Sequence, residues 1–151
     1  MVELTNGHGL IVENCFFNRP GGNGLLLSNY LRGTVVEGNE FLYTGDNAIV
    51  SLGATQLIDA TAGLQPRGTE IAHNLAHEAG IWVKQQGALY QGLTAGTHLH
   101  HNVFFNGPRA GVNVSLGCSG CLLRVCVAAS GVVLNTCERA VQRWHGGRPL
   151  G

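Results

Sequence analysis

Two groups of residues have types and spacing suited to chemistry. The first is His98-Leu99-His100-His101, just before Asn102. A His-x-His on an extended strand puts two imidazoles on one face, about 7 Å apart at Cα, which is workable for zinc. Glu70 would be the third ligand. The plainer expectation is that His98, His100 and Glu70 hold no metal, because an exposed strand face accepts almost any polar residue. The second group is Asp46, His77, Glu78, Lys84 and Arg109, with Trp82 and Asn113 nearby. Paired carboxylates beside a guanidinium suit general acid/base work or the binding of an anionic group. His77, next to Glu78, is a further acid/base candidate, and Lys84 is the only lysine in the chain. No cofactor is expected; the alternative is calcium, and calcium dependence would implicate Asp46 and Glu78. The plain alternative for the whole group is a solvated ion ladder, with Trp82 packed under a loop. Cys118-x-x-Cys121, followed by Cys126, looks like half a zinc site or a redox pair. No second Cys/His pair at zinc spacing accompanies it, so a bland role is expected there.

Whether these residues can meet depends on the elements that carry them. Charged residues make up 12% of the 151-residue chain, against about 25% in an ordinary soluble domain. Gly is abundant, at 23 residues, and Pro scarce, at 4. That balance favours short apolar strands joined by tight turns over long helices with charged faces. Nine basic and nine acidic side chains cancel, which leaves no positive field for nucleic acid. The apolar runs are too short to span a bilayer. The stretch Met1-Val2-Glu3-Leu4-Thr5-Asn6-Gly7 has neither a basic region nor an apolar core, so no signal peptide is visible and the compartment stays open. Cys15, alone in an apolar run, is expected to be a buried small side chain.

A repeat emerges around four asparagines: Asn14, Asn39, Asn74 and Asn102. Three places before them stand Ile11, Val36, Ile71 and Leu99, and five places before stand Gly9, Thr34, Thr69 and Thr97. Two places after come Phe16, Phe41, Ala76 and Phe104. Each block then holds another short strand, expected at Gly24-Leu25-Leu26-Leu27, Ala48-Ile49-Val50-Ser51, Gly80-Ile81-Trp82-Val83 and Gly111-Val112-Asn113-Val114. Residues 54–66 and 85–96 are the variable loops. Alternation turns the small or aliphatic positions inward. The Asn is expected to make the turn, because it tolerates the left-handed region and its amide can bond to the same amide one unit away.

This pattern, Gly-Thr-x-Ile-x-x-Asn-x-Phe over roughly residues 7–116, resembles the right-handed parallel β-helix repeats of the pectin lyase-like superfamily. The expected fold is all-β, a right-handed parallel β-helix (solenoid) of about four coils over 1–116, read as a truncated fragment. Residues 117–151 form a divergent Cys-containing tail: a poor fifth coil anchored on Asn135, a short cap over 138–144, or a non-native segment. Leucine-rich repeats also place Asn after an aliphatic triplet, but they would want Leu five places earlier.

Stacking the last strands on Ala48, Gly80 and Gly111 puts Asp46, Glu78 and Arg109 in one ladder. It also puts Trp82 beside Asn113, and Lys84 beside Ser115. In the register of the repeat, Glu70 lies beneath His98, Ala72 beneath His100, and His73 beneath His101. The resemblance implies a carbohydrate-active protein, a polysaccharide lyase or glycoside hydrolase acting on acidic polysaccharide along this face. The alternative is a non-catalytic carbohydrate-binding or adhesion β-helix. Either way the partner would be a polysaccharide or oligosaccharide, and the family leans extracellular. No lyase or hydrolase signature matches residue by residue, so the family's fold carries no catalytic role onto these positions.

Overall fold

The computed structural model describes residues 1–54, 62–115, 117, 118, 120, 122–124, 127 and 128. These residues form strands and turns that wind into stacked coils, with every strand pair parallel. Three sheets result. The first runs Val2–His8, Leu25–Arg32, Ile49–Leu52, Leu89–Gly92, Val112–Val114, with Pro66–Arg67 paired to the end of Leu25–Arg32. The second stacks Ile11–Glu13, Val35–Glu37, Glu70–Ala72, His98–His100 and Leu122–Arg124. The third stacks Phe16–Asn18, Glu40–Leu42, Leu75–His77, Val103–Phe105 and Val127–Ala128. This is a parallel β-helix, and its pairing carries on past residue 116. Asn135, Cys121, Cys126, Cys137 and the segment 138–144 lie outside the described residues. Among the described residues no helix is long and apolar enough to cross a membrane.

The first four strands of the second and of the third sheet are triplets whose middle residue faces in. Val36, Ile71 and Leu99 fill one inner column and Phe41, Ala76 and Phe104 the next, all buried. The first coil joins these columns through Val12 and Phe17, with the rings of Phe17 and Phe41 stacked at 4.5 Å and 9°. Ile11 and Phe16 point outward instead and are 63% and 59% exposed. The first coil therefore sits one residue away from the register expected from Asn14.

The reason lies in the corner between those two sheets, which takes two residues. The first has a left-handed backbone and is Asn14, Gly38, His73 or His101, with φ of 52°, 66°, 53° and 52°. The second is Cys15, Asn39, Asn74 or Asn102. The turn is thus made by the residue before the repeated Asn. Asn is a good occupant of both places: it tolerates positive φ in the first and supplies an amide in the second. Asn14 takes the first place, and exposed Cys15 takes the second. Cys15 is therefore not the buried side chain expected. Gly9 likewise belongs with Gly33, Gly68 and Gly96, all at positive φ, and Leu10 falls in the column of Thr34, Thr69 and Thr97.

Within the corner, Asn39, Asn74 and Asn102 are buried and form a ladder. Asn39 Nδ2 donates to Asn74 Oδ1 at 3.0 Å, and Asn74 Nδ2 to Asn102 Oδ1 at 3.0 Å. The same oxygens accept the backbone N–H of the preceding asparagine, and Asn39 Oδ1 accepts that of Cys15. Each amide so serves groups that would otherwise be buried without partners, each costing about 1–3 kcal/mol.

Candidate functional site

The third coil departs from expectation at its last strand. Leu89–Gly92, not residues 80–83, pairs between Ile49–Leu52 and Val112–Val114. Leu89 is fully buried, as the column of Leu25, Ile49 and Val112 requires. Residues 80–88 instead leave the coil as a loop laid over the second one. Ile81 N–H donates to Thr44 O, and the N–H groups of Trp82 and Val83 to Gly45 O. The motif that marks the true strand is Gly87-Ala88-Leu89, parallel to Asn23-Gly24-Leu25 and Asn47-Ala48-Ile49.

This shift redistributes the expected site. Tyr90, not Trp82, stands between Val50 and Asn113 on the outer face. Lys84 is exposed in the loop and shares no column with Ser115. Counting back from the paired strands, Gln86 falls between Asp46 and Arg109, so Glu78 leaves that ladder. Arg109 reaches the carbonyl of Gln85 at 3.4 Å. Asp46 Oδ1 accepts from Asn47 Nδ2 at 2.8 Å, and Asp46 O accepts from Gly80 N–H. Asn47 in turn donates to Asn23 Oδ1 and accepts from Gly87 N–H, a second amide ladder that pins the entrance to the first sheet.

Glu78 belongs to a different column, the corner that follows the third sheet. Its members are Arg19, Tyr43, Glu78 and Asn106, all with left-handed backbones at φ of 54°, 52°, 55° and 51°. Glu78 Oε1 accepts from Asn106 Nδ2 at 2.9 Å. The Arg19 guanidinium lies 5.3 Å from the Tyr43 ring centroid. His77, just before this corner, stacks on Phe105 at 4.9 Å and meets Glu40 at 3.6 Å.

The loop and this column together shape a pocket. Arg19, Pro20, Gly21, Tyr43, Ile81 and Trp82 line a shallow cavity of about 380 Å³. Trp82, 75% exposed, approaches the backbone where Gly45 lacks a side chain: a Cβ there would stand 2.6 Å from Trp82 Cδ1. Two aromatic rings and a cation thus border one open hollow. Arg19 and Tyr43 were not singled out from sequence. The signal for both is their place four residues after Cys15 and Asn39, which only the corrected register makes visible.

Around the histidines, the expected pairing holds: His98 stands beside Glu70, Leu99 beside Ile71 and His100 beside Ala72. The side chains group differently. Glu70 bonds to His100 rather than to His98, at 3.1 Å from Nε2. His73 and His101 stack at 5.1 Å and 8°, as expected for neighbouring corners. Ligand atoms of His73, His100 and His101 all lie within 4.8 Å of one another, and His98 is outside this group. The trio of His98, His100 and Glu70, the alternative to the plainer expectation of no metal, is therefore not the group that the corner assembles.

A family profile described as "Right handed beta helix region" matches residues 1–128 of the chain. No curated protein and no solved structure matches it.

Proposed function

Because the chain belongs to the right-handed β-helix family, we propose that it is a carbohydrate-binding coil stack whose glycan seat is the hollow between Trp82 and Tyr43. The observation that carries this reading is the pairing of two exposed aromatic rings with a guanidinium in one open pocket. Aromatic faces suit the apolar faces of sugar rings, and Arg presents a fixed fork of donors that matches a carboxylate. The ligand class is accordingly an acidic oligosaccharide, with a uronate carboxylate at Arg19. Exposure of the hollow fits a chain-like ligand lying across coils better than a small molecule enclosed on all sides.

A catalytic version rests on one further observation. Glu78 follows Tyr43 in the same corner column, about 4.8 Å on by strand spacing. His77 precedes it. A glycan on Trp82 and Tyr43 would bring these two groups within reach as acid or base. Asp46 and Arg109, one loop away, would then bind rather than react, and Lys84 and Asn113 would lie at the margin. The carboxylate of Glu78 is held by Asn106, a neutral amide, and so has no charged partner at that contact.

The experiment is direct. Folded protein is incubated with polygalacturonate, alginate and chondroitin, and bound ligand, reducing ends and unsaturated products are followed. Binding without turnover is expected of the carbohydrate-binding reading, and turnover abolished by Glu78→Gln of the catalytic one. Failure of all three polymers to bind would contradict both.

A further inference from the structure

We infer that His73, His100 and His101 form a transition-metal site, with zinc as the fitting ion, at the corner that joins the third and fourth coils. Three features of the cluster lead there. The first is distance: His100 Nδ1 lies 2.9 Å from His101 Nδ1, and all three residues offer a nitrogen within 4.8 Å of the others. Tetrahedral zinc, with bonds of about 2.0–2.1 Å, sets its ligand nitrogens about 3.3 Å apart. Rotation of these rings must close the difference. It must also turn His73 and His101 out of their parallel stack, since an ion lies in the plane of each imidazole it binds. His73 and His101 are exposed and His100 is half-buried, which leaves them room to turn.

The second feature is the outer partners. Glu37 Oε1 holds His73 Nδ1 at 3.0 Å, and Glu70 Oε1 holds His100 Nε2 at 3.1 Å. Each carboxylate occupies one nitrogen of its ring and not the opposite one, Nε2 of His73 or Nδ1 of His100. The latter shares a hydrogen bond with His101 Nδ1, which a bound ion would replace. A carboxylate on the far side of a ligand histidine orients the ring and raises its basicity, and is the usual surround of a zinc-bound imidazole. Both carboxylates come from the second sheet, one on the second coil and one on the third.

The third is backbone. His73 and His101 both sit at left-handed positions, φ 53° and 52°, where the equivalent residues of the two earlier coils are Gly38 and Asn14. His is, with Asn and Asp, among the non-glycine residues found most often in this conformation, so it fits the corner. Placing His there twice in succession aims two imidazoles outward from stacked corners. The result is a parallel pair of rings 5.1 Å apart, closed from the side by His100, whose ring stands 86° to His101.

Three imidazoles select zinc, copper, nickel or cobalt over calcium or magnesium, which want oxygen. A fourth coordination position would face solvent and hold water. The ion would also tie the third coil to the fourth, so binding stabilises their contact by mass action. The site lies on a different corner from the aromatic pocket, and it does not depend on the glycan reading.

Tag-free, chelator-treated full chain is titrated with Zn²⁺ by calorimetry and with Co²⁺ by visible absorption. The expected result is one ion per chain, a rise in Tm on adding Zn²⁺, and no thiolate charge-transfer band with Co²⁺. His73→Asn and His101→Asn keep a residue suited to positive φ, so both variants should fold. Each is expected to weaken binding at least tenfold, and Glu70→Gln roughly tenfold, within the usual range for an outer partner. His98→Ala should bind as the unchanged protein does. Stoichiometric binding that survives both Asn variants, a thiolate band that carries the binding, or no uptake by folded protein would each overturn the site.

Discussion

Asn74 Nδ2 donates to Asn102 Oδ1 at 3.0 Å, and the same oxygen accepts the backbone N–H of Asn74 at 2.9 Å. Asn74 Oδ1 does the same service for Asn39. One side chain therefore ties three coils at a buried corner. Its Nδ2 also reaches the carbonyls of Val36 and Ala72. Replacing Asn74 by Ala strands donors and acceptors on both neighbouring coils, and several buried polar groups without partners cost about 1–3 kcal/mol each. Asn74→Ala is expected to lower unfolding free energy by about 3 kcal/mol or more in urea titrations. A loss under about 1 kcal/mol would mean that the ladder is not a main tie.

The register of the first coil is tested by two adjacent phenylalanines. Phe17 stacks on Phe41 and faces inward, while Phe16 is mostly exposed. Phe17→Ala is expected to cost about 2 kcal/mol, below the cost of a fully buried ring because this one is only partly covered. Phe16→Ala should stay within about 0.5 kcal/mol. Thermal melts of the two variants decide between the two registers, since the reverse order would restore the one built on Asn14.

Gly87 opens the strand that carries Tyr90, and a Cβ there would collide with the carbonyl of Ala110. That carbonyl belongs to backbone, so relief requires the third and fourth coils to part. Gly87→Ala is expected to destabilise by about 2 kcal/mol. Gly22, where an added Cβ would meet nothing within 4 Å, gives the control, with little change expected from Gly22→Ala. Equal melts for the two variants would remove Leu89–Gly92 from the sheet.

The residues explain why the fold was easier to read than the site. Val36 and Asn39 recur in kind at equivalent places of later coils, and Phe41 recurs at Phe104 with the smaller Ala76 between them, because each inner column and each amide rung must match its neighbours across about 4.8 Å. Outer residues carry no such requirement. Gly80-Ile81 and Ala88-Leu89 both look like a small residue before an inward aliphatic one, and it is Leu89 that the core buries. That single choice moved Trp82 from a strand to a loop and Glu78 from the ladder of Asp46 to the corner of Tyr43. For the histidines, alternation gave the neighbours at the backbone correctly. It did not reveal that the left-handed corner swings His73 and His101 toward His100, since strand alternation ends at the corner.

The glycan reading meets its most direct test in the affinity of the folded chain for oligogalacturonate, measured by calorimetry beside a neutral oligosaccharide of equal length. Saturable binding to the acidic ligand is expected, weakened about tenfold or more, or about 1.4 kcal/mol, by Arg19→Ala and by Trp82→Ala. Lys84→Ala should leave it within about twofold. Equal affinity for the neutral sugar, or binding untouched by both Arg19→Ala and Trp82→Ala, would contradict an acidic-glycan seat between Trp82 and Tyr43.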